Sequence, residues 1–431
     1  MLFFYNLFFG IGFLFFLPSL LIKLKTRPGY KKTFGERFGR FSPERRRELK
    51  EFAPDIWLHS VSVGETVLAL SFIKAYRKHY PDVKFVISTT TTTGQELARS
   101  KCDELTKVIF CPIDSYGAVR RTLDLLDAKK LIILETELWP NMIYQAKKRG
   151  MQVILVNSRL SDHSVRGYRK FKCFFRPLLM QFDLISAQSE MDAQRILSVA
   201  PDAKVVNNSN MKFDQQIPEK LPDAELEKFF GSDAKFYRYL LGASTHPDEE
   251  ALIADSFIAL KDKFPELRLI LIPRHAERGG EIAEILQNKN ISFLRKSSLN
   301  IDFNGGTAEN QCLLADTTGE MLKFMNIADI VIMGKSLAGQ NEGHNLIEPA
   351  LLKRAIVCGP ELRNFRFLFD LLKNADGIAI CNDETLTLML ENLFNDKTRV
   401  DALRLNAYNA VNANAGATER TIKSIAALSG R

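Results

Sequence analysis

The sequence predicts an α/β protein with two doubly wound, Rossmann-like domains that face each other across a cleft, preceded by an amino-terminal membrane-anchor helix. Two observations predict the domains: short apolar runs alternate with helical stretches, and this alternation stops once and begins again. The runs are continuously rich in Ile, Val and Leu, which is typical of parallel strands buried on both faces and joined by crossover helices. An uncharged, apolar amino terminus followed by a basic segment predicts the anchor.

The apolar runs define the limits of the two domains. The first domain is predicted over 51–214, with strands at 56–61, 84–89, 107–112, 130–135, 152–157 and 183–188. The second domain is predicted over 236–431, with a carboxyl-terminal helix and strands at 239–244, 267–273, 312–317, 329–334, 355–360 and 377–382. The polar stretch 215–235 is predicted to be the linker between them.

The amino terminus has the pattern of a membrane anchor. Residues 1–22 carry no charged side chain and, as a helix, would extend about 33 Å at roughly 1.5 Å per residue, which is enough to cross a bilayer core. Residues 23–50 contain eleven Lys and Arg against three Glu, which accounts for the whole formal net charge of +8. Anionic headgroups attract such a segment, and the positive-inside rule places the body of the protein on the cytoplasmic side. Pro18 leaves open a helix that lies in the interface instead of spanning it.

Composition and charge disfavour several other classes of protein. A cleaved signal peptide is disfavoured because no basic residue precedes the apolar run and no small-residue cleavage site follows it. A nucleic-acid-binding protein is disfavoured because the basic excess is confined to the flank of the anchor. The six cysteines are scattered without a Cys-x-x-Cys pair, which predicts buried thiols in a reducing compartment.

Polar and glycine residues are concentrated after the predicted strands. Ligands of open parallel sheets bind beyond the carboxyl ends of the strands, so these segments are where a site is expected. In the first domain they are 59–65, 89–94 and 135–137, and in the second domain they are 244–246, 273–275 and 334–348.

Three features of the second domain suit phosphate or sugar binding. The stretch 242–252 predicts a strand, a Ser/Thr turn and a helix whose first N–H groups can bind a phosphate, although an ordinary N-cap gives the same pattern. Arg274, at a strand end, can clamp a phosphate or carboxylate or form a surface salt bridge. The glycine loop 339–351 leads into a helix with Asn345 and Glu348 on one face, where they can bind hydroxyl groups or cap the helix.

A nucleoside-triphosphate-binding loop and a metal site are both disfavoured. Gly334, Lys335 and Ser336 have the ending of a phosphate-binding loop, but Asp329 stands where that loop requires its first glycine. The pattern Asp-x-Asp does not occur, and the spacing of His, Cys, Asp and Glu indicates no metal cage.

Glu36 is the most unusual carboxylate, because it lies in a basic, glycine-punctuated segment between the anchor and the first strand. Arg37 and Arg40 would keep it ionised, as a general base requires, although a solvated ion pair has the same pattern. Further carboxylates at predicted strand ends are Glu65, Glu135 and Glu137.

Ten motifs occur in the order that one known family has. They are GERFGR (35–40), WLHSVSVGE (57–65), STTTTTG (88–94), ETELWPN (135–141), NSRLS (157–161), NMKFD (210–214), GASTHPDEE (242–250), IPRHAER (272–278), GEM (319–321) and GHNLIEPA (343–350). On these motifs, and over nearly its whole length, the chain resembles the bacterial Kdo transferases, which transfer 3-deoxy-D-manno-octulosonic acid (Kdo) from its CMP ester to lipid A precursor. The resemblance implies a two-domain fold of the GT-B type, an inverting reaction without metal or cofactor, CMP-Kdo as co-substrate, and a place at the bacterial inner membrane.

The resemblance also implies roles for individual residues. It makes Glu36 the general base that takes the proton of the acceptor hydroxyl, and it places CMP against the second domain with Arg274 on the phosphate. The predicted donor-binding residues are Ser244, Thr245, Arg274, His275, Glu320, Met321, Lys335, Ser336, Asn345 and Glu348. The predicted acceptor-binding residues are Ser60, Gly64, Glu65 and Arg159.

The last loop departs from the pattern of the family. Lys335 and Glu342 occupy positions where glycines are expected, which leaves the identity of the donor open. Two other functions therefore stay open: a membrane-anchored transferase that uses a UDP-sugar, and a catalytically inactive, lipid-binding homologue.

Overall fold

The computed structural model describes residues 2–10, 12, 34–214, 223–300 and 302–428. Within these residues the chain forms two seven-stranded sheets in which every neighbouring pair of strands is parallel. Helices connect most of the successive strands, as is usual for parallel pairing. Between β10 and β11 the described residues contain only a 3₁₀ turn, Lys296–Ser298. The predicted class, two doubly wound α/β sheets, is confirmed.

The first sheet has the strand order β3-β2-β1-β4-β5-β6-β7. Its strands are β1 Ile56–His59, β2 Phe85–Thr89, β3 Thr106–Phe110, β4 Lys130–Leu134, β5 Gln152–Ser158, β6 Leu184–Ala187 and β7 Val205–Asn207. The chain starts in the middle of the sheet, winds outward through β2 and β3, and returns to place β4 beside β1. The carboxyl ends of β1 and β4 therefore mark the point where the winding direction reverses, which is where doubly wound sheets bind ligands.

The second sheet has the strand order β10-β11-β9-β8-β12-β13-β14. Its strands are β8 Arg238–Thr245, β9 Leu267–Pro273, β10 Phe293–Arg295, β11 Cys312–Leu314, β12 Ile330–Met333, β13 Ala355–Cys358 and β14 Ala379–Ile380. The same reversal occurs here between β8 and β12. The carboxyl ends of these two strands are therefore the expected ligand edge of the second sheet.

The helices follow the strands in the described part of the chain. In the first half they are α1 Pro43–Phe52, α2 Val63–His79, α3 Thr92–Lys101, α4 Tyr116–Leu126, α5 Pro140–Lys148, α6 Asp162–Lys170, α7 Lys172–Leu179 and α8 Glu190–Val199. In the second half they are α9 Asp223–Phe230, α10 Glu249–Lys261, α11 Gly279–Asn288, α12 Met321–Met325, α13 Ile347–Leu351, α14 Arg366–Asn374, α15 Leu386–Asn395, α16 Lys397–Asn412 and α17 Ala417–Ala426.

Burial on both faces explains why the central strands have continuous apolar sequences. In β1, Trp57 packs into the core on one face of the first sheet and Leu58 into the core on the other, and both are completely buried. Two strands were not predicted, β7 and β10. Each strand has only three residues, forms an edge of its sheet and is partly exposed to solvent. For this reason neither strand has a long apolar sequence.

The chain divides into two compact units, 1–215 with 416–431, and 216–415. The carboxyl-terminal helix α17 was predicted in the second domain but belongs to the first unit. Its Ile422 and Ile425 are buried in the core of the first sheet. Asp214 accepts hydrogen bonds from the backbone N–H groups of Gly416 (2.5 Å) and Thr418 (2.6 Å), which caps the helix.

Within the predicted anchor and basic segment, residues 1, 11 and 13–33 lie outside the described residues. Residues 2–10 are helical. Across the described part of the chain, every helix is too short or too polar to cross a bilayer. Of the cysteines, four are buried, Cys102 is half-buried and Cys173 is exposed, so the prediction of buried thiols is wrong for Cys173.

Asp214→Ala is expected to lower the free energy of unfolding of the first unit by about 1–2 kcal/mol, because α17 loses the acceptor for its first N–H groups. Asp202→Ala, which removes an exposed ion pair with Arg176, is the matched control. It is expected to change the free energy of unfolding by less than about 0.5 kcal/mol. Urea unfolding followed by tryptophan fluorescence measures this difference, because Trp57 and Trp139 are the chain's two tryptophans and both belong to the first unit. Equal effects of the two substitutions would contradict the capping role.

Candidate functional site

The carboxyl edge of the second sheet is shaped by a close approach of two strands. Gly334 follows β12 directly, and a Cβ atom at this position would lie 2.2 Å from the carbonyl oxygen of Ser244 in β8. Only glycine therefore allows the two strand ends to pack this closely. The approach brings the loop that begins at Lys335 next to the residues that follow β8.

A cluster of histidines and cationic side chains lies at this edge. The Nε2 atoms of His246 and His344 are 3.2 Å apart, and the His275 ring lies edge-on to His246 at 6.1 Å between centroids. Burial, reinforced by the nearby charges of His246, Arg274 and Lys335, lowers the pKa of His344 to about 4. Burial and Lys335 also lower the pKa of His246. Both imidazoles are therefore neutral near pH 7 beside the exposed Arg274 and the half-buried Lys335, an arrangement that attracts an anion.

His246 and His344 were absent from the predicted site residues. Both belong to motifs that pointed to this edge, GASTHPDEE and GHNLIEPA, so a signal was present. The contact between them joins residues 98 positions apart, which no local pattern reveals. Arg274 and His275 lie where they were predicted, exposed at the end of β9, and the backbone N–H of Arg274 donates to the carbonyl of Thr245 (3.0 Å).

Glu249 holds the loop after β12 in place. Its carboxylate is almost completely buried and accepts hydrogen bonds from the backbone N–H groups of Lys335 (2.8 Å), Ser336 (2.9 Å), Leu337 (3.0 Å) and His246 (2.9 Å). A phosphate-binding loop would offer such N–H groups to its ligand. Here the protein's own carboxylate occupies them, which agrees with the rejection of a phosphate-binding loop at Gly334.

Two predicted donor-binding side chains, Thr245 and Ser336, are buried and form hydrogen bonds within the second unit. The Thr245 hydroxyl donates to Glu250 (2.7 Å), whose carboxylate also receives the Arg278 guanidinium. The Ser336 hydroxyl donates to the Met333 carbonyl (2.6 Å) and accepts from the N–H of Gly359 (3.0 Å). Both side chains therefore connect the strand ends to the core.

The structure brings three other predicted residues together. Ser244 adopts a left-handed backbone conformation (φ 55°), and its hydroxyl lies 3.2 Å from the sulfur of Met321. The neighbouring Glu320 carboxylate accepts from Thr317 (2.6 Å) and pairs with Lys296 (2.8 Å). Burial alone would raise the pKa of Glu320, but these two partners outweigh it and lower the pKa. Glu320 is therefore ionised beside Ser244 and Met321.

The last loop contains an ion pair between the two residues that depart from the family pattern. Lys335 Nζ lies 2.5 Å from Glu342 Oε2, and Lys335 has a left-handed backbone (φ 61°) of the kind that glycine adopts easily. At the end of the loop, Asn345 accepts from the N–H of Ile347 (3.2 Å) and so caps α13, which carries Glu348. Pairing with Glu342 orients the Lys335 ammonium within the loop.

The carboxyl edge of the first sheet carries a cluster of carboxylates. Ser62 caps α2 by accepting from the N–H of Glu65 (3.4 Å), and the Glu65 carboxylate accepts in return from the N–H of Val61 (2.7 Å) and the hydroxyl of Ser62 (2.9 Å). Burial and the charge of Glu135 raise the pKa of Glu65, and burial together with Glu65 and Glu135 raises the pKa of Glu137 to about 7. Glu137 is thus poised to exchange a proton near neutral pH.

The predicted acceptor residues occupy different depths at this edge. Ser60 is completely buried, and its hydroxyl lies 3.4 Å from that of Thr66. Gly64 is exposed in the first turn of α2 with open space around it, and Glu65 lies next to it. Arg159 follows β5 and donates its backbone N–H to Thr136 (3.0 Å). Gly64, Glu65 and Arg159 are therefore at the edge, whereas Ser60 supports it.

Glu36 lies at the end of the edge strand β3, in a one-turn 3₁₀ helix, Glu36–Phe38. Its carboxylate accepts from the backbone N–H of Phe110 (3.1 Å), and the guanidinium of Arg37 stacks on the Phe110 ring at 4.2 Å. Gly39 ends the turn in a left-handed conformation (φ 66°). The turn therefore fixes a half-buried carboxylate at the carboxyl end of the first sheet.

The two sheets with their strand-end sites define a GT-B-like fold, the fold of a large class of glycosyltransferases. A solved structure described as a glycosyltransferase from Rickettsia africae superposes on this chain with a TM-score of 0.58 at 12% sequence identity, covering 86% of this chain and 97% of that one. This likeness concerns the fold alone.

Sequence comparison identifies the family. The family described as 3-deoxy-D-manno-octulosonic-acid transferase (kdotransferase) matches residues 32–215. The 3-deoxy-D-manno-octulosonic acid transferase of Rickettsia felis is 33% identical over 83% of this chain and 76% of its own length, and that of Haemophilus influenzae is 29% identical over 93% and 92%. The chain belongs to the Kdo transferase family and is therefore a glycosyltransferase.

Glu137→Gln is expected to raise the urea midpoint of the first unit at pH 8 and to change it less at pH 5. The raised pKa means that the folded state keeps a proton that the unfolded state releases, so Glu137 lowers stability progressively as pH rises from about 4.5 to about 7. Substitution of Glu137 by glutamine removes this loss of stability. Urea unfolding of the wild type and the variant at pH 5 and pH 8 measures the change in midpoint, and Glu96→Gln on the exposed side of α3 is the control. A gain of equal size at the two pH values would show that the carboxyl does not titrate as inferred.

Proposed function

We propose that this enzyme transfers Kdo from CMP-Kdo to lipid A precursor in lipopolysaccharide synthesis, inverting the anomeric carbon without a metal ion. The observation that supports this proposal most directly is the cationic, histidine-rich edge of the second sheet, in a chain that belongs to the Kdo transferase family. Lipid A precursor, CMP-Kdo and an anionic membrane surface are its proposed partners, and its proposed place is the cytoplasmic face of the bacterial inner membrane.

The donor half of the proposal rests on charge. Arg274 and His275 are exposed at the end of β9, and the charge of Lys335 contributes to the lowered pKa values of His246 and His344. A phosphodiester placed here would receive a guanidinium and neutral imidazole N–H groups. Negative charge grows on this phosphate as CMP leaves, so fixed cations stabilise the transition state more than the ground state.

The acceptor half rests on Glu36. Its carboxylate is fixed by Phe110 at the carboxyl end of the first sheet, and the proposed reaction uses it to accept the proton of the lipid hydroxyl. The hydroxyl oxygen bonds to the anomeric carbon of Kdo as the bond from that carbon to the phosphate oxygen of CMP breaks. General-base catalysis of this kind contributes about 10²–10⁴-fold to the rate.

Membrane attachment suits a lipid acceptor. The uncharged residues 1–22 and the basic segment 23–50 would keep the enzyme at the surface where the acceptor lies. Basic side chains there would also attract the phosphate groups of lipid A precursor.

Arg274→Ala is expected to weaken CMP binding at least about tenfold, because a charged hydrogen bond to phosphate is lost. Arg366→Ala, which removes an exposed arginine at the start of α14 in the same unit, is the matched control and is expected to leave the affinity unchanged. Titration calorimetry with CMP, and with UDP in parallel, measures both. Tighter binding of UDP than of CMP in the wild type would favour the UDP-sugar transferase instead.

Glu36→Gln is expected to reduce Kdo transfer by about 10²–10⁴-fold while leaving the fold intact, because the amide oxygen of glutamine can still accept from Phe110 but cannot take a proton. The measurement is the rate at which labelled Kdo, supplied as CMP-Kdo, appears on lipid A precursor in detergent without added metal. Glu51→Gln, at an exposed position of α1, is the control. A folded wild type that binds CMP and transfers nothing would point to the inactive homologue, and a Glu36→Gln enzyme as fast as wild type would remove the base from Glu36.

A further inference from the structure

The first helical residues of the chain dock onto the first unit. One side of residues 2–10 carries Tyr5, which hydrogen-bonds to Asp114 in the loop after β3, and Asn6, which hydrogen-bonds to Asn141 in the first turn of α5. The Tyr5 ring also lies 6.3 Å from the ring of Phe174 in α7. The large apolar side chains on the outer side are exposed: Phe3, Phe4, Leu7 and Phe8. The segment therefore presents a polar side to the protein within an otherwise apolar sequence.

Asp114 is the centre of this contact. Its side chain is completely buried, and its carboxylate accepts from the hydroxyl of Tyr5 (2.9 Å) and from the backbone N–H groups of Asn141 (2.9 Å) and Met142 (2.9 Å). Asn141 and Met142 lie in the first turn of α5, so one carboxylate joins the start of that helix to the amino-terminal segment. Removal of the Tyr5 hydroxyl would take away a partner from a buried carboxylate.

Asn6 and Asn141 form a reciprocal pair of amides. The Asn141 amide nitrogen donates to the Asn6 oxygen (2.9 Å), and the Asn6 nitrogen donates to the Asn141 oxygen (3.2 Å). The Asn141 nitrogen also donates to the backbone carbonyl of Asp114 (2.5 Å). The Asn141 side chain is completely buried, so Asn6 satisfies polar atoms that water cannot reach.

These contacts connect the amino-terminal segment to the segments that carry Glu36 and Glu137 at the carboxyl edge of the first sheet. The loop of Asp114 also holds the Glu36 turn, because the N–H of Ile113 donates to the carbonyl of Arg37 (2.7 Å). On the other side, Asn141 lies two residues after the end of the loop 135–139, which carries Glu137. Tyr5 and Asn6 thus hydrogen-bond to the residues through which the loop after β3 contacts the start of α5, which follows the loop after β4.

We propose that Tyr5 and Asn6 are positioning residues of the first-unit site, which hold the Glu36 turn and the Glu137 loop in register through Asp114 and Asn141. The amino-terminal segment is then a part of the catalytic unit as well as an attachment to lipid. The part of this inference that concerns catalysis rests on the proposed Kdo transfer. The part that concerns the order of the two loops does not.

Tyr5→Phe and Asn6→Leu separate positioning from membrane attachment. Both substitutions make the segment more apolar, so a segment that served only as an anchor would bind lipid as well as before or better. Phe8→Leu, on the exposed side of the same helix, is the matched control. All variants are made in the full-length chain, and flotation with vesicles of phosphatidylethanolamine and phosphatidylglycerol checks that each one still binds lipid.

Hydrogen exchange followed by mass spectrometry is the first readout. Peptides covering 110–114 and 136–142 are expected to exchange about tenfold faster in Tyr5→Phe and Asn6→Leu than in wild type or Phe8→Leu, while peptides from 238–273 stay unchanged. The second readout is transfer of labelled Kdo in detergent micelles, where attachment to a bilayer plays no part. Here kcat is expected to fall about tenfold with the KM for CMP-Kdo within about twofold, because the donor residues lie in the other unit.

The outcomes distinguish this inference from the proposed function. Unchanged exchange in both peptides would overturn the inference, whether or not the wild type transfers Kdo. Faster exchange with a wild type that transfers no Kdo would support the positioning role and reject the proposed reaction. Faster exchange with an unchanged kcat would show that the contacts order the loops without serving catalysis, which also overturns the inference.

Discussion

Burial of both faces of each parallel sheet is the constraint on which the rest of this structure depends. A central strand such as β1 sends Trp57 to one core and Leu58 to the other, so it has no face left for a polar side chain. Polar chemistry is therefore confined to the ends of the strands. At the carboxyl ends the winding direction reverses, between β1 and β4 in one sheet and between β8 and β12 in the other. The candidate residues of both units collect at these two reversals and in the loops beside them.

Carboxylate groups organise several loops and helix starts. Glu249 gathers four backbone N–H groups around the loop after β12, Asp114 joins the start of α5 to the amino-terminal segment, and Asp214 caps the last helix. In each case a carboxylate accepts from backbone N–H groups, of a loop or of the start of a helix, that would otherwise form hydrogen bonds with water. Charge-assisted bonds of this kind are stronger than neutral ones, so loops that carry site residues keep a defined shape without regular secondary structure.

The two edges have opposite electrostatic characters. The first gathers Glu65, Glu135 and Glu137, with pKa values raised at Glu65 and Glu137, and the second gathers His246 and His344 with lowered pKa values among cations. Proton acceptors suit an edge that activates a hydroxyl, and cations suit an edge that holds a phosphate. This division matches the proposed reaction, in which a lipid hydroxyl loses a proton and a phosphate gains negative charge.

The sequence by itself determined the fold class, twelve of the fourteen strands in the described part of the chain, the family, and the strand ends where the candidate site residues lie. Continuous apolar runs and motifs in a fixed order carry that information locally. Only the tertiary structure decided which of these residues are exposed: Arg274 and Gly64 are, whereas Ser60, Thr245 and Ser336 are buried. It also paired His246 with His344, Lys335 with Glu342, and Asn6 with Asn141, and it moved α17 to the first unit. The physical reason is that burial and long-range pairing depend on neighbours supplied by distant parts of the chain, whereas strand and turn patterns depend on residues close in sequence.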